Sequence, residues 1–433
     1  MGFFFTLPIL FFLVYYSFTK ELFLAFSVMI VYFMFMSFNY VGCYFSFNML
    51  SWFLLMLSVF IISFMMLSNS LFYLDVYEGS MFMFNLYLMI TSLFVVFFTS
   101  NVFVFYLFFE FSVIPIFFLL CGWGFNYERF QAGFYMLMYT LFFSLPFLIF
   151  ICMINLKIKS IDYLISSFYY FSEFNYFFVV ISVFMFLVKL PSFFFHIWLP
   201  KAHVEAPVSG SMILAGLLLK LGAYGMLIYI PFVFYNLLEY SFYLFSLGLW
   251  GGIMASFICF RQVDLKKMVA YMSVSHMGMV LSCSFTFLNI SMFGLILMLL
   301  AHGFTSSGLF FSLNCFYERI YTRSLILVSG GNMYLIGLSF WFFLLICTNI
   351  SAPPSLNFYS ELSMLFGVSI FSVSFLFLFL IIMFFGTICS FHLFVSMFHG
   401  FHNIHYSFDS LGIKEYFLLW GHVIPLFMMF LFI

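Results

Sequence analysis

Charge is what this 433-residue chain has least of: Asp, Glu, Lys and Arg make up 6% of it, with thirteen basic residues against fourteen acidic ones. A net charge of −1 leaves no basic stripe for a nucleic acid to read and implies no acidic or basic partner. Eight cysteines are scattered along the chain, no two closer than the 24 residues from Cys259 to Cys283. That spacing excludes a disulfide framework, a CxxC pair and iron–sulfur ligation. There is no GxxxxGK loop, GxGxxG fingerprint or GxSxG elbow, so no redox or hydrolytic chemistry is expected on this chain. A basic leader and an Arg-rich transit segment are also missing. The opening "MGFFFT" formally fits an N-myristoylation pattern, but it runs straight into "LPILFFLVYY" and reads as a first spanning helix.

What remains is apolar. Hydrophobic residues make up 67% of the chain and aromatics 26%, with 79 phenylalanines and a mean hydropathy of +1.23. No soluble core needs that much. So much phenylalanine fits a T-rich genome such as an organelle's. About 20 apolar residues cross a hydrocarbon layer about 30 Å thick as a helix, and such runs recur almost end to end. Polar, Pro and Gly breaks between them give fourteen spans: 3–18, 22–38, 49–67, 81–98, 102–120, 132–154, 176–197, 208–230, 240–260, 268–285, 288–311, 333–368, 371–397 and 416–432. The seventh contains "KLPSFFFH", and the twelfth, too long for one crossing, is interrupted by "SAPPSLN". Proline frees helix carbonyls, which at membrane depth is tolerated only beside protein or a watery cavity. Both breaks point to a hydrated interior; a plain structural kink is the alternative.

Loops after odd-numbered spans hold nine basic residues (Lys20, Arg129, Lys201, Arg261, Lys266, Lys267, Arg319, Arg323, Lys414), and loops after even-numbered ones hold Lys157 and Lys159. The positive-inside bias then puts both termini on the outer side. In "HIWLPKAHVEAP" it places Lys201 and Glu205 in an inner-side loop, with Trp198 as an interface anchor, so that His203 and Glu205 read as loop structure.

Lys189 and Lys220 fit no loop. A lysine at the centre of a span costs about 2.5–3.5 kcal/mol on insertion scales and is a functional candidate by default. Glu110, His276, His302 and Glu361 also lie in apolar surroundings. Each has a plainer reading. Glu110 and Lys189 could be a structural ion pair, and the histidines could be core residues bonded to Ser275 or Thr305. Lys220 has no acidic residue within a turn or two, and Gly216, Gly222 and Gly225 around it allow close helix approach. His392, His399, His402 and His405 cluster near the end, but the "HGFHNIH" stretch meets no acidic or cysteine companion until Asp409, which favours a polar loop over a metal site.

The buried groups suit proton transfer. One elementary charge crossing roughly 150 mV costs about 3.5 kcal/mol at about 2.3 per 100 mV. That equals a swing of about 2.5 pH units at about 1.36 kcal/mol each, which making and breaking a Glu110–Lys189 pair could supply.

At these residues the chain resembles a known family. The stretches "KLPSFFFHIWLPKAHVEAPVSGSMILAGLLLKLGAYG", "EFSVIPIFFLLCGWGFNYERFQAGFYMLMYT", "RQVDLKKMVAYMSVSHMGMV", "AHGFTSSGLFFSLNCFYERIYTR" and "NISAPPSLNFYSEL" are similar to signatures of the antiporter-like membrane subunits of respiratory complex I. The likeness runs from about Asn101 to Glu361. It implies an all-α polytopic membrane protein of about 14 transmembrane helices, with two five-helix inverted repeats and broken helices 7 and 12. The expected division is 1–80 for helices 1–3, 81–231 and 232–397 for the repeats, and 398–433 for a carboxy-terminal loop and helix 14. Breaks five spans apart suit inverted repeats.

The resemblance implies a Glu110–Lys189 pair, a central Lys220, His276 and His302 along the same line, and Glu361 at its outer end, with His196 as a further candidate for lining it. Glu128, Arg129, Glu318 and Arg319 match motif positions as inner-side loop residues. A glutamate at 361 favours one branch of the family, since sister chains carry lysine there. The short stretch before Glu110 departs from the family pattern.

By resemblance the chain pumps protons in a mitochondrial inner membrane. FMN, iron–sulfur clusters and ubiquinone would belong to other subunits, with none on this chain, and its partners would be neighbouring antiporter-like and other membrane-arm subunits and bound lipids. A subunit of a cation/proton antiporter and a non-pumping structural subunit remain the alternatives.

Overall fold

The computed structural model describes residues 49–69, 76–124, 126–158, 176–333, 335–400 and 410–428. The first two spans, Lys20, Lys159, His402, His405 and Asp409 lie outside these. The described residues are helical almost throughout: α1 (Met49–Ser68), α2 (Val76–Phe98), α3 (Val102–Phe111), α4 (Val113–Trp123), α5 (Arg129–Ile158), α6 (Tyr176–Lys189), α7 (Trp198–Glu205), α8 (Val208–Ile213), α9 (Leu219–Tyr229), α10 (Phe234–Phe260), α11 (Leu265–Ser284), α12 (Asn289–Ile320), α13 (Ile336–Asn349), α14 (Leu356–Phe371), α15 (Val373–Phe398) and α16 (Ile413–Met428). Each of the spans expected from the third onward has its helix here. Among the described residues, eight helical segments are long and apolar enough to cross a membrane. α3 and α4 form one span with a slight break at Ser112, and α8 continues through a π-helical turn, Leu214–Leu218, into α9. That turn was not foreseen.

Where the bundle interior lies follows from burial. α12 and the span formed by α8 and α9 are buried along nearly their whole length, whereas α5 and α15 show most of their surface outward. The polar thread therefore runs through α8, α9 and α12, whose side chains are mostly buried within the bundle.

The two broken spans behave as proline chemistry requires. Span seven stops at Lys189, bends through Pro191, and resumes as α7 from Trp198. Span twelve stops at Asn349 and resumes at Leu356, beyond Pro353 and Pro354. In each, a side chain from the second half donates to a carbonyl near the end of the first: Trp198 Nε1 to Val188 O at 3.1 Å, and Asn357 Nδ2 to Thr348 O at 2.6 Å. Carbonyls released by the break are thus satisfied within the protein.

This corrects the reading of "HIWLPKAHVEAP". α7 is the second half of a broken span rather than a surface loop. Trp198 is buried and is no interface anchor. His203 and Glu205 are buried helix residues, while Lys201 faces out, its ammonium 4.1 Å from the Tyr135 ring centroid. Lys266, expected in a loop, is buried in the first turn of α11. α12 likewise runs on to Ile320, nine residues past the expected end at 311, so Glu318 and Arg319 sit in its last turns. Apolar periodicity alone does not see such extensions, because their polar residues bond inward to protein.

Removing either carbonyl's donor should weaken a break without changing its shape. Trp198→Phe keeps an aromatic ring and takes the indole donor from Val188 O, whereas Asn357→Leu takes one donor from Thr348 O, which still accepts from Ser351 N at 3.1 Å. The first is expected to cost about 1–3 kcal/mol and the second about 0.5–1.5 kcal/mol, read as an earlier thermal unfolding transition of the solubilised protein.

Candidate proton-transfer line

Lys189 ends α6 and Glu110 lies near the end of α3, so the pair forms only because these two helix ends meet. Their Nζ and Oε1 atoms are 3.5 Å apart. The ammonium also donates to Phe109 O at 2.7 Å and sits 3.1 Å from the Phe109 ring centroid. Close helix approach places it. A Cβ on Gly222 of α9 would lie 2.8 Å from Leu190 N, so only glycine lets α9 touch the end of α6 there. A small cavity of about 10 Å³, lined by Lys189, Thr140, Trp198 and Leu218 among others, lies beside the lysine. That is about the volume a single water needs.

Lys220 follows directly on the π-helical turn. Its Nζ donates to Ala215 O, five residues back, at 2.5 Å, and meets His302 Nδ1 at 3.0 Å. The π turn opens the backbone so that Ala215 O is offered to the side chain, a feature that recurs at functional sites. The lysine is fully buried, and its polar partners are one carbonyl and one imidazole.

From His302 the line continues. The His302 and His276 ring centroids are 5.5 Å apart, and His276 Nδ1 stands 3.8 Å from Glu361 Oε1. Lys220, His302, His276 and Glu361, from α9, α12, α11 and α14, therefore form one continuous row in the buried middle of the bundle. Glu361 sits in the second half of the broken twelfth span, a turn beyond Asn357, and is itself buried. The break decides where the row ends.

Six of the seven candidate residues fall into two groups, the Glu110–Lys189 pair and this row of four. His196 stands apart in the bend of span seven, bonded to Phe193 O and packed between the Phe193 and Tyr271 rings.

Sequence reasoning passed over one residue that the fold brings into play. His203 is completely buried on α7, stacked parallel on Phe310 at 4.4 Å, and within Coulombic reach of both Lys220 and Lys266. Among the described residues neither of its ring nitrogens has a hydrogen-bond partner. Its available signal was its place four residues after the apolar Leu199, on the same face of a helix that resumes after Pro191. Beyond it lies a polar knot at the basic end of the bundle. Asn126 Nδ2 donates to Glu205 at 3.1 Å, Lys266 Nζ to Ala206 O at 3.2 Å, and Arg323 to Val204 O at 2.9 Å and to Asn126 at 3.2 Å. Arg319 pairs with Glu415 at 2.6 Å. Among the described residues no three His, Cys, Asp or Glu side chains are placed to hold a metal ion.

This is the arrangement of a membrane ion-translocating subunit, and comparison with known proteins agrees. The chain belongs to the NADH:quinone oxidoreductase/Mrp antiporter transmembrane family, whose model matches residues 99–390. Within that family it groups with NADH-ubiquinone oxidoreductase chain 4: it is 42% identical to that chain of Rhipicephalus sanguineus over 82% of its own length and 81% of the relative's. For Ceratitis capitata the figures are 42%, 80% and 78%. Its fold matches a chain of respiratory complex I from Thermus thermophilus with bound NADH, at TM-score 0.86 and 22% identity, over 94% of this chain and 89% of that one. A chain of the Mrp complex from Dietzia sp. DQ12-45-1b matches at TM-score 0.82 and 18% identity, over 94% and 47%.

The buried pair makes a separable prediction. Glu110→Gln leaves Lys189 an orphaned buried charge, at a cost of about 3–5 kcal/mol, and should reduce assembly. Glu110→Gln combined with Lys189→Met removes both charges and should restore assembly on native gels.

Proposed function

We propose that this chain translocates protons across the mitochondrial inner membrane as a membrane-arm subunit of complex I. NADH oxidation and ubiquinone reduction take place on other subunits, which supply FMN and iron–sulfur clusters and count neighbouring antiporter-like chains among them. The observation that carries this reading is the unbroken row Lys220–His302–His276–Glu361 in an otherwise apolar interior. Every member can gain and lose a proton. Side chains of this kind inside a membrane mark proton relays.

The roles follow from position. Lys220 is the central carrier, because it is the buried cation in contact with the row, and His302 and His276 hand its proton on toward Glu361. Glu110 and Lys189 act as the neighbouring pair whose opening and closing changes the field at the carrier. His203 lies between Lys220 and the polar knot formed by Glu205, Lys266 and Arg323, and serves as the entry step. The basic residues gathered there make that end the inner side; with fourteen spans both termini face the intermembrane space. Spans four to eight and nine to thirteen form the two inverted repeats, which the matching breaks in spans seven and twelve support. A cation/proton antiporter subunit would share this fold, but the similar chains quoted above at 42% identity are both oxidoreductase subunits.

Arginine keeps a positive charge but does not release a proton in a protein. Lys220→Arg should therefore leave assembly intact and remove this chain's share of pumping, lowering the proton-to-electron ratio in reconstituted vesicles. An unchanged ratio would rule out the carrier role. His203→Phe keeps the stack on Phe310 and removes the titratable nitrogens. Its expected effect is slower proton uptake from the inner side with normal assembly, followed with a pH dye during turnover.

A further inference from the structure

Two cysteines that are far apart in the sequence meet in the fold. α10 and α15 pack side by side and run in the same direction. A Cβ on Gly252 would lie 2.9 Å from Ile382 Cδ1, the Phe257 and Phe385 ring centroids are 4.5 Å apart, and Phe260 stacks on His392 at 5.1 Å. Each contact joins residues 128 to 132 positions apart, and Cys259 and Cys389 are separated by 130. The same register therefore sets these two cysteines against each other, between the second contact and the third.

Their sulfur atoms follow that register. Cys389 Sγ donates to Ser256 O at 3.4 Å, one turn back from Cys259 on α10. Cys259 Sγ donates to Met268 O of α11 at 3.3 Å, and the two thiol side chains are within hydrogen-bond reach of each other. Since a carbonyl is available to each S–H, no proton need stand between the sulfurs. Both are free thiols and buried, 0% and 1% exposed. They lie near the basic end of the bundle, where α10 ends at Phe260 and the exposed Arg261 follows.

Burial shuts out bulky reagents and ordinarily leaves a thiol inert. A second thiol in contact changes that, because it captures the first oxidation product at once. We propose that Cys259 and Cys389 are a peroxide-sensitive pair that closes reversibly to a disulfide and clamps α10 to α15. The oxidant is hydrogen peroxide, small enough to pass between packed helices. One sulfur, as its thiolate, attacks a peroxide oxygen; the O–O bond breaks, and the hydroxide released takes up the thiol's proton as water. The second sulfur then attacks the sulfenic acid formed on the first. The S–O bond breaks, and hydroxide leaves with the second thiol's proton as another water. Two electrons pass from the two thiols to one peroxide. In a compartment that keeps thiols reduced, such a bond forms only transiently. Neither cysteine belongs to the proton row, so the inference stands apart from the proton reading and needs only the packing of α10 on α15.

Peroxide treatment of the intact complex in its membrane tests it. Membranes are exposed to hydrogen peroxide or to buffer, free thiols are blocked with N-ethylmaleimide in denaturant, and the digest is read by mass spectrometry. A peptide linking Cys259 to Cys389 should appear with peroxide, be absent with buffer, and be lost again after dithiothreitol. Cys259→Ser and Cys389→Ser each keep a small hydrogen-bonding side chain and should each abolish it. Recovery of both cysteines fully alkylated after peroxide would overturn the proposal. So would a disulfide from either one to glutathione or to a cysteine of another subunit, or a linked peptide already present in buffer.

Discussion

One constraint governs this molecule: inside hydrocarbon an unpaired polar group is costly, so a buried charge is held only where the protein supplies a partner for it. The chain spends its few ionisable side chains under that rule. Lys189 takes a carboxylate, a carbonyl and an aromatic face. Lys220 takes a carbonyl and an imidazole, and because it lacks a carboxylate of its own it depends on a neighbour that can itself carry a proton. Holding a charge and passing it on are then the same contact.

Backbone irregularity is the means by which the row is built. A continuous helix has no free carbonyl to offer, so Lys189, Lys220 and Glu361 each lie near a departure from regular geometry, while His276 and His302 sit on unbroken helices. The π turn before Lys220 frees Ala215 O. The bend after Lys189 makes room for α7, and the break in span twelve sets Glu361 beside His276. Trp198 and Asn357 then close the two breaks in the same manner, from the second half back to the first. This correspondence between spans five apart is what two inverted repeats would produce.

Much of this was legible in the sequence, and the parts that were not have a common cause. Apolar run lengths located the spans, because a span is defined by composition. The two breaks announced themselves through Pro191 and the Pro353–Pro354 pair. The site residues stood out because charge in an apolar run is rare: Glu110, Lys189, Lys220 and Glu361 needed no structure to be noticed. What composition could not show was which polar residues at the edge of a run fold inward. "HIWLPKAHVEAP" looks like a surface loop, yet Trp198, His203 and Glu205 are buried: Trp198 bonds back to Val188 O across the bend, Glu205 meets Asn126 79 positions away, and His203 stacks on Phe310 107 positions away. The π turn was invisible for a related reason: "LAGLL" is ordinary helix by propensity, and only the demand of Lys220 for a carbonyl explains it.

The central claim is that Lys220, His302, His276 and Glu361 act in series. A double-mutant cycle on proton pumping tests this most directly, using His302→Gln and Glu361→Gln, singly and together, in reconstituted vesicles. Steps in one row predict that the double variant pumps about as slowly as the slower single variant. A loss equal to the sum of the two single losses, as two independent routes would give, would contradict the account.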